Sequence, residues 1–225
     1  MSRRDMRRGM LLDLDGTLYS YPAPEGVARR SLCERVAARL DLDPATIGAA
    51  YLEARDRVRE RLGARGSAHS RLLYLHELLA MLGRFDAVSE VPLWNREYWD
   101  VFLCSARLST DVVTLLSAAR ARGWRTAIVT DLTLDVQLRK CAEFGLLGRI
   151  DALVASEEVA VEKPDPAVFL LGAARIGVNI MDCIVVGDDD ARDGMGARRL
   201  GIPFLHAGEG GCDLATVIKH ILGDP

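Results

Sequence analysis

The sequence predicts an α/β protein built on a parallel sheet, with a helical domain inserted after the first strand. Three observations carry this expectation. A short apolar run from Gly9 ends in an acid, Asp13, and reads as a buried strand. From about Tyr21 to Leu108 almost everything has a helical period. After Ser109, helical stretches alternate with short apolar strands, the mark of parallel βαβ units. The first strand has no partner nearby, so it must join the later sheet and the helical block must interrupt it. The expected division is 1–20 and 108–225 for the sheet domain and 21–107 for the insertion.

Within the insertion, Leu32, Val36 and Leu40 share one face of a first helix. Asp43 followed by Pro44 is a cap and first-turn proline that opens a second. Gly63 to Ser67 breaks that helix. A third is expected from His69 to Leu82 with Leu72, Leu75, Leu79 and Leu82 facing inward, and a fourth carries Trp94, Tyr98, Val101 and Phe102. In the second half, Ser109 or Thr110 caps a helix that stops at Gly123, and Thr126 to Val129 is a strand. A helix from Leu134 to Phe144 precedes a strand at Ala152 to Ala155. Pro166 starts a helix that runs to Ile176, and Cys183 to Val186 is the next strand. A helix near Gly194 to Leu200 leads to an extended Pro203-Phe204-Leu205, and the last helix is about Leu214 to Leu222.

Composition narrows the class. A chain of 225 residues buries roughly 70% or more of its unfolded surface, so it needs no disulfide or structural metal to hold a core. With 49% hydrophobic and 27% charged residues it is an ordinary globular sequence, not a disordered or collagen-like one. A net charge of −3 argues against nucleic-acid binding. The absence of an apolar run of membrane-spanning length excludes a membrane span. Five cysteines with no C-x-x-C spacing (Cys33, Cys104, Cys141, Cys183 and Cys212) are expected as free thiols, which points to a cytoplasmic location. Arg3, Arg4, Arg7 and Arg8 read as a short solvated tail.

The chemistry sits at the carboxyl ends of the strands, the edge where parallel sheets bind ligands. The first strand runs into Asp13-Leu14-Asp15-Gly16-Thr17 and the second into Thr130-Asp131. The fourth runs into Gly187-Asp188-Asp189-Asp190, with Asp193 just beyond. Glu162-Lys163-Pro164-Asp165 precedes a helix between the last two. Two carboxylates 4 Å apart repel by about 4 kcal/mol at an effective dielectric near 20, so Asp13, Asp15, Asp188 and Asp193 need a cation or a proton. Oxygen ligands without His or Cys favour a hard ion, and magnesium is the usual one. Beside a lysine and a threonine hydroxyl, that ion suits a phosphoryl group. A carboxylate next to the metal can attack phosphorus to give an aspartyl-phosphate, and an acid two residues on can handle protons.

These residues resemble the four signature motifs of the haloacid dehalogenase superfamily, in order and at its spacings. They are Asp13-Leu14-Asp15-Gly16-Thr17-Leu18; Thr130; Lys163-Pro164-Asp165-Pro166 with Phe169; and Gly187-Asp188 with Asp193. The resemblance implies a Rossmann-like three-layer parallel-sheet core with an inserted α-helical cap domain. It implies Asp13 as nucleophile and magnesium ligand. Asp15 would be the proton donor and base, and would also offer its main-chain carbonyl to the metal. Thr130 and Lys163 would hold the phosphoryl oxygens, with Asp131, next to Thr130, as a further phosphate-binding candidate. Asp188 would bind Mg2+, with Asp193 ligating or supporting it. The second acid, Asp15, favours phosphate monoesters over dehalogenation, so the expected activity is phosphatase action on a small phosphorylated metabolite such as a sugar phosphate or nucleoside monophosphate. A phosphomutase of the same fold, or a non-catalytic module binding a phosphorylated ligand or a protein, is the alternative.

Many relatives have Asn and Ser where this chain has Asp131 and Asp189, followed by Asp190. These extra acids must point away, help hold the metal or select a cationic substrate. In the insertion, His69 and Arg71 lie beside the glycine-flanked break and are candidate specificity residues, with a solvated loop or helix cap as the alternative.

Overall fold

A computed structural model of the chain describes residues 8–208 and 213–223; the tail residues Arg3, Arg4 and Arg7, and Cys212, lie outside them. The chain divides into two units, one running up to Ser20 and resuming at Arg107, the other comprising Tyr21–Ala106. The first strand, β1 (Gly9–Leu12), is fully buried.

The helical unit consists of α1 (Pro22–Leu40), α2 (Pro44–Leu62), α3 (Arg71–Met81) and α4 (Val91–Ser105). The Asp43 side chain accepts from the Thr46 N–H at 3.0 Å and Pro44 takes the first turn, so α2 starts where its cap satisfies a backbone donor. Helix α1 packs on α2 and α4, and α3 packs on the same two. Their shared core includes Leu32, Val36, Tyr51, Trp94 and Phe102.

The third helix differs from its expected stripe. A 3-10 turn, Gly66–His69, and an extended Ser70 start α3 at Arg71, and the inward residues are Arg71, Tyr74, Leu75, Leu78 and Leu79. Leu72 is 41% exposed. Tyr74 and Leu78 lie at helical spacing from Arg71, so the buried stripe is rotated by about one residue from the leucine pattern.

The sheet unit contains β2 (Arg125–Thr130), β3 (Ala152–Ala155), β4 (Cys183–Gly187) and β5 (Phe204–His206), with α5 (Val112–Ala121), α6 (Leu134–Glu143), α7 (Pro166–Ile176), α8 (Met195–Leu200) and α9 (Leu214–Leu222). All strand pairs are parallel, in the order β3-β2-β1-β4-β5. Right-handed crossovers place the connections from β1 through β2 to β3 on one face and the return from β3 to β4 on the other. Accordingly, α5 packs on β2 and α9, while α7 covers β1, β2 and β3 from the opposite side. Leu11, Val129, Val154 and Val185 form the α7-facing core with Val168, Phe169, Ala173 and Ile176. Each such side chain contributes about 1.5–3 kcal/mol on burial. The strand order reverses at β1, between β2 and β4, so a crevice opens at their carboxyl ends.

Cys33, Cys104, Cys141 and Cys183 are free thiols. No helix among the described residues is long and apolar enough to cross a membrane.

Candidate active site

Asp13 follows β1 directly and its N–H donates to the Val186 carbonyl of β4 at 2.9 Å, which fixes the carboxylate beside the end of that strand. Gly16 turns the chain back with φ 96°, and a side chain there would strike the Asp188 carboxylate. Gly187 performs the same service for Asp193, whose side chain occupies the space a Cβ would need. Thr17 places its hydroxyl oxygen 2.9 Å from Asp13 Oδ2 and 3.0 Å from Asp188 Oδ1. Lys163 Nζ donates to Asp13 Oδ1 at 2.5 Å and to Asp193 Oδ1 at 2.8 Å. Three segments remote in sequence, carrying Asp13, Lys163 and the pair Asp188 and Asp193, thus meet at one point of the sheet edge.

One oxygen from each of Asp13, Asp188 and Asp193 falls within 4.8 Å of the others. Burial pushes the Asp13 carboxyl up to about 7, with Asp193 and Asp15 adding to the rise against the pull of Lys163. Burial and the neighbouring Asp13 raise Asp188 to about 6. Burial also disfavours the charged form of Lys163, yet Asp13 and Asp193 hold it well above the usual lysine value. The residues fit a hard divalent cation on two further counts. Thr17 has one hydroxyl proton for two carboxylates, so the Asp13–Asp188 approach needs another positive charge or a proton. Asp193 Oδ2 is buried with no hydrogen-bond partner among the described residues, an acceptor oxygen left to coordinate.

Asp15 turns to a different set of donors. Both its oxygens accept from Lys140 Nζ, at 2.7 and 2.8 Å, and Oδ2 also accepts from Gln137 Nε2 at 3.0 Å. The Tyr19 hydroxyl donates to Oδ1. Burial opposes ionisation of Asp15, but Lys140, Tyr19 and Gln137 together hold its carboxyl below the ordinary aspartate range. Gln137 also donates to Thr130 Oγ1 at 2.7 Å and to the Asp131 carbonyl at 2.6 Å, tying the end of β2 to Asp15. Neither Gln137 nor Lys140 was expected from the motifs. Their signal lies in α6, where Val136, Gln137, Lys140 and Cys141 form the buried stripe, two of the four polar. A fully buried lysine on an inward stripe requires an acid at its end.

The remaining expected residues take varied places. Thr130 is fully buried, with its hydroxyl engaged by Gln137. The Asp131 carboxylate, expected near the phosphoryl oxygens, accepts from the Lys163 N–H at 3.1 Å and pairs with Arg192 at 3.0 Å, so it positions the Lys163 backbone. Asp189 caps the turn Asp190–Gly194 by accepting from Ala191 and Arg192 N–H groups, and Asp190 pairs with Arg198 at 2.9 Å. Both extra acids therefore serve local structure. In the helical unit, His69 Nδ1 lies 3.2 Å from Arg59 Nη2, and Arg71 donates to the His69 carbonyl at 2.8 Å.

The sequence from 8 to 201 matches the haloacid dehalogenase-like hydrolase family. The chain is 30% identical over 198 residues to the ribulose-1,5-bisphosphate 5-phosphatase of Halopiger xanaduensis, an alignment covering 88% of this chain and 83% of that one. It is also 30% identical, over 88% of its length and 82% of the relative's, to the glyceraldehyde 3-phosphate phosphatase of Methanopyrus kandleri. Among solved structures, the HAD phosphatase from Thermococcus onnurineus superposes with a TM-score of 0.73, covering 96% of this chain and 98% of that one at 20% identity. That likeness bears on the fold, and the sequence match over most of the chain bears on descent. The chain is a member of the haloacid dehalogenase-like hydrolases.

Proposed function

We propose that the protein is a magnesium-dependent phosphatase of a small phosphorylated metabolite, working through a phosphorylated Asp13. The observation that carries this reading is the pairing of two carboxylates in opposite settings. Asp13 sits among Asp188, Asp193 and Lys163, and Asp15 sits in a separate clamp of Lys140, Gln137 and Tyr19. Two acids held in different electrostatic environments can take nucleophile and proton-transfer roles. Both sequence relatives named above are phosphatases, which favours a phosphate ester over other hydrolase substrates.

Asp13, Asp188 and Asp193 would hold the metal ion, with the Asp15 main-chain carbonyl nearby. Bound there, a divalent cation supplies the positive charge that lets an anionic phosphoryl group approach a carboxylate. An Asp13 oxygen attacks phosphorus, the bond from phosphorus to the ester oxygen breaks, and Asp15 delivers a proton to the departing oxygen. Water then attacks the phosphorylated Asp13 as Asp15 takes its proton, releasing inorganic phosphate and restoring the Asp13 carboxylate. Lys163 neutralises the transferring group, and Thr130, at the end of β2, is the candidate to hold its oxygens once released from Gln137. The Lys140 ion pair favours the ionised form of Asp15 used in the second half-reaction. The first half-reaction uses the protonated form, so Lys140 governs the balance between the two. The free thiols suit a reducing cytoplasm.

The test is release of inorganic phosphate from a panel of sugar phosphates, nucleoside monophosphates and phosphoglycolate, with and without magnesium. Turnover that needs magnesium and disappears in Asp13→Asn supports the reading. Phosphate moved to another hydroxyl of the substrate without release would replace it with a mutase.

A further inference from the structure

Asp131 sets a carboxylate beside the residues that the proposed reaction uses to hold phosphoryl oxygens. It follows Thr130 directly at the end of β2 and is buried. Its Oδ1 accepts from the Lys163 N–H at 3.1 Å, which joins the end of β2 to the Lys163 segment. An asparagine would offer the same acceptor oxygen without a charge, so the contact to Lys163 does not by itself call for an acid. The charge is felt across the acidic cluster. Burial raises the Asp193 carboxyl, and Asp188 and Asp131 add to that rise against the pull of Lys163. An anionic phosphoryl group entering the same cluster meets the same repulsion.

One cation answers this carboxylate. Arg192 Nη1 donates to Asp131 Oδ2 at 3.0 Å, so both oxygens of Asp131 have a donor, one neutral and one charged. Arg192 comes from the turn Asp190–Gly194, which joins Asp188 to Asp193. Its Nε lies 3.7 Å from Asp189 Oδ2, beyond hydrogen-bond range, so the short contact is the one to Asp131. Burial works against the charged guanidinium, but Asp131 and then Glu162 hold it above the ordinary arginine value. The Arg192 side chain is 41% exposed and the Asp131 side chain 10%. The pair therefore has a wet cationic end and a nearly dry anionic end, and the dry end adjoins Thr130. Removing the cation would leave a buried charge without compensation.

We infer that Arg192 is a positioning residue for the phosphoryl group: by pairing with Asp131 it cancels a charge that would repel the phosphate of the substrate, while Asp131 keeps its hold on the Lys163 backbone. The inference rests on the phosphatase reading and accounts for an acid beside Thr130 in a site that takes an anion.

Variants that change the charges of the pair test this at pH 8 with magnesium, read as KM for the best substrate and as the inhibition constant of inorganic phosphate. Arg192→Gln leaves Asp131 uncompensated, and both constants should rise about tenfold while kcat changes far less. Asp131→Asn leaves Arg192 uncompensated, and both constants should fall below those of the unmodified enzyme. The double variant, Asp131→Asn with Arg192→Gln, removes both charges and should return to within about threefold of the unmodified enzyme. Arg192→Lys keeps the charge and should recover most of the loss seen in Arg192→Gln. A pair that only braces the loops behaves differently: each single variant weakens phosphate binding, and the double variant is no better than the worse single one. That pattern would overturn the inference, as would an Arg192→Gln loss confined to kcat. Should Arg192→Gln not fold, Asp131→Asn and the double variant decide by the same order. If the unmodified enzyme turns over no ester, the phosphatase reading fails separately. Calorimetric titration of the same proteins with inorganic phosphate and magnesium then decides: the same order of affinities supports the role of Arg192, and equal affinities or no binding contradict it.

Discussion

At the edge of the sheet, four carboxylates (Asp13, Asp15, Asp188 and Asp193) crowd around two ammonium groups, Lys140 and Lys163. In the helical unit the Arg71 guanidinium lies among aromatic rings, and no carboxylate among the described residues pairs with it. The first region has negative charge in excess and the second has positive charge unmatched. Each imbalance costs folding free energy, and the first is relieved by a ligand of the opposite sign. An excess of two carboxylates asks for a divalent cation and the phosphoryl group it helps to bind. Reading charge region by region is therefore more informative than the net charge of −3.

The largest expected effect lies at the centre of the acidic region. Asp13→Asn should lower kcat by about a thousandfold or more, because it removes the attacking oxygen while keeping the side chain's shape. Its melting temperature should hold or rise, since one member of the repelling acid cluster becomes neutral. Phosphate release and a thermal melt on the same sample measure both.

Next comes Lys140→Met, which leaves Asp15 without its ion pair. If Lys140 acts through Asp15, kcat/KM for alkyl phosphates should fall about a hundredfold. The loss for 4-nitrophenyl phosphate should be clearly smaller, because its leaving oxygen hardly needs a proton. An equal loss on both would reduce Lys140 to a packing role.

The pH dependence separates the two regions without mutation. Asp13 rises from 3.8 to about 7 in the folded protein, so between those values the folded state holds a proton that the unfolded state has released. Metal-free stability should therefore fall as pH rises from about 4 to about 7. Magnesium should oppose that fall, raising the melting temperature more at pH 7.5 than at pH 5. A magnesium effect that is the same at both pH values would contradict the acid cluster as the binding site.

A smaller effect checks the rotated stripe that brings Arg71 inward. Leu75→Ala should destabilise by about 2–5 kcal/mol, the range for a buried leucine. Leu72→Ala, at the surface, should stay within about 0.5 kcal/mol. Comparable losses at the two positions in urea melts would restore the leucine pattern and turn Arg71 outward.

The same contrast explains what could be read in the sequence. Strands that end in acids announce both the sheet and the site, because a buried apolar run cannot end in Asp13 or Asp188 without a reason. Helix α7 was legible to the residue, since Asp165 and Pro166 cap its start and Gly177 ends it with φ 65°. Lys140 and Gln137 were hidden because a lysine and a glutamine on a helix usually face water, and only their place on the inward stripe of α6 marks them. Arg71 was harder. Four leucines at helical spacing suggested another stripe, and the turn at Gly66–His69 that sets the helix start is a matter of backbone geometry. The motifs placed Asp131 next to Thr130, but the direction of its carboxylate depends on Arg192, sixty-one residues away in sequence.

In the proposed reaction Asp13 carries the phosphoryl group during turnover. Acid-quenching the enzyme during reaction with its best substrate, followed by peptide mass spectrometry, tests it most directly. A hydroxylamine-sensitive acyl phosphate should appear on the peptide containing Asp13 and be absent without magnesium. Steady phosphate release with no acyl phosphate, or with the phosphoryl group on another carboxylate, would contradict it.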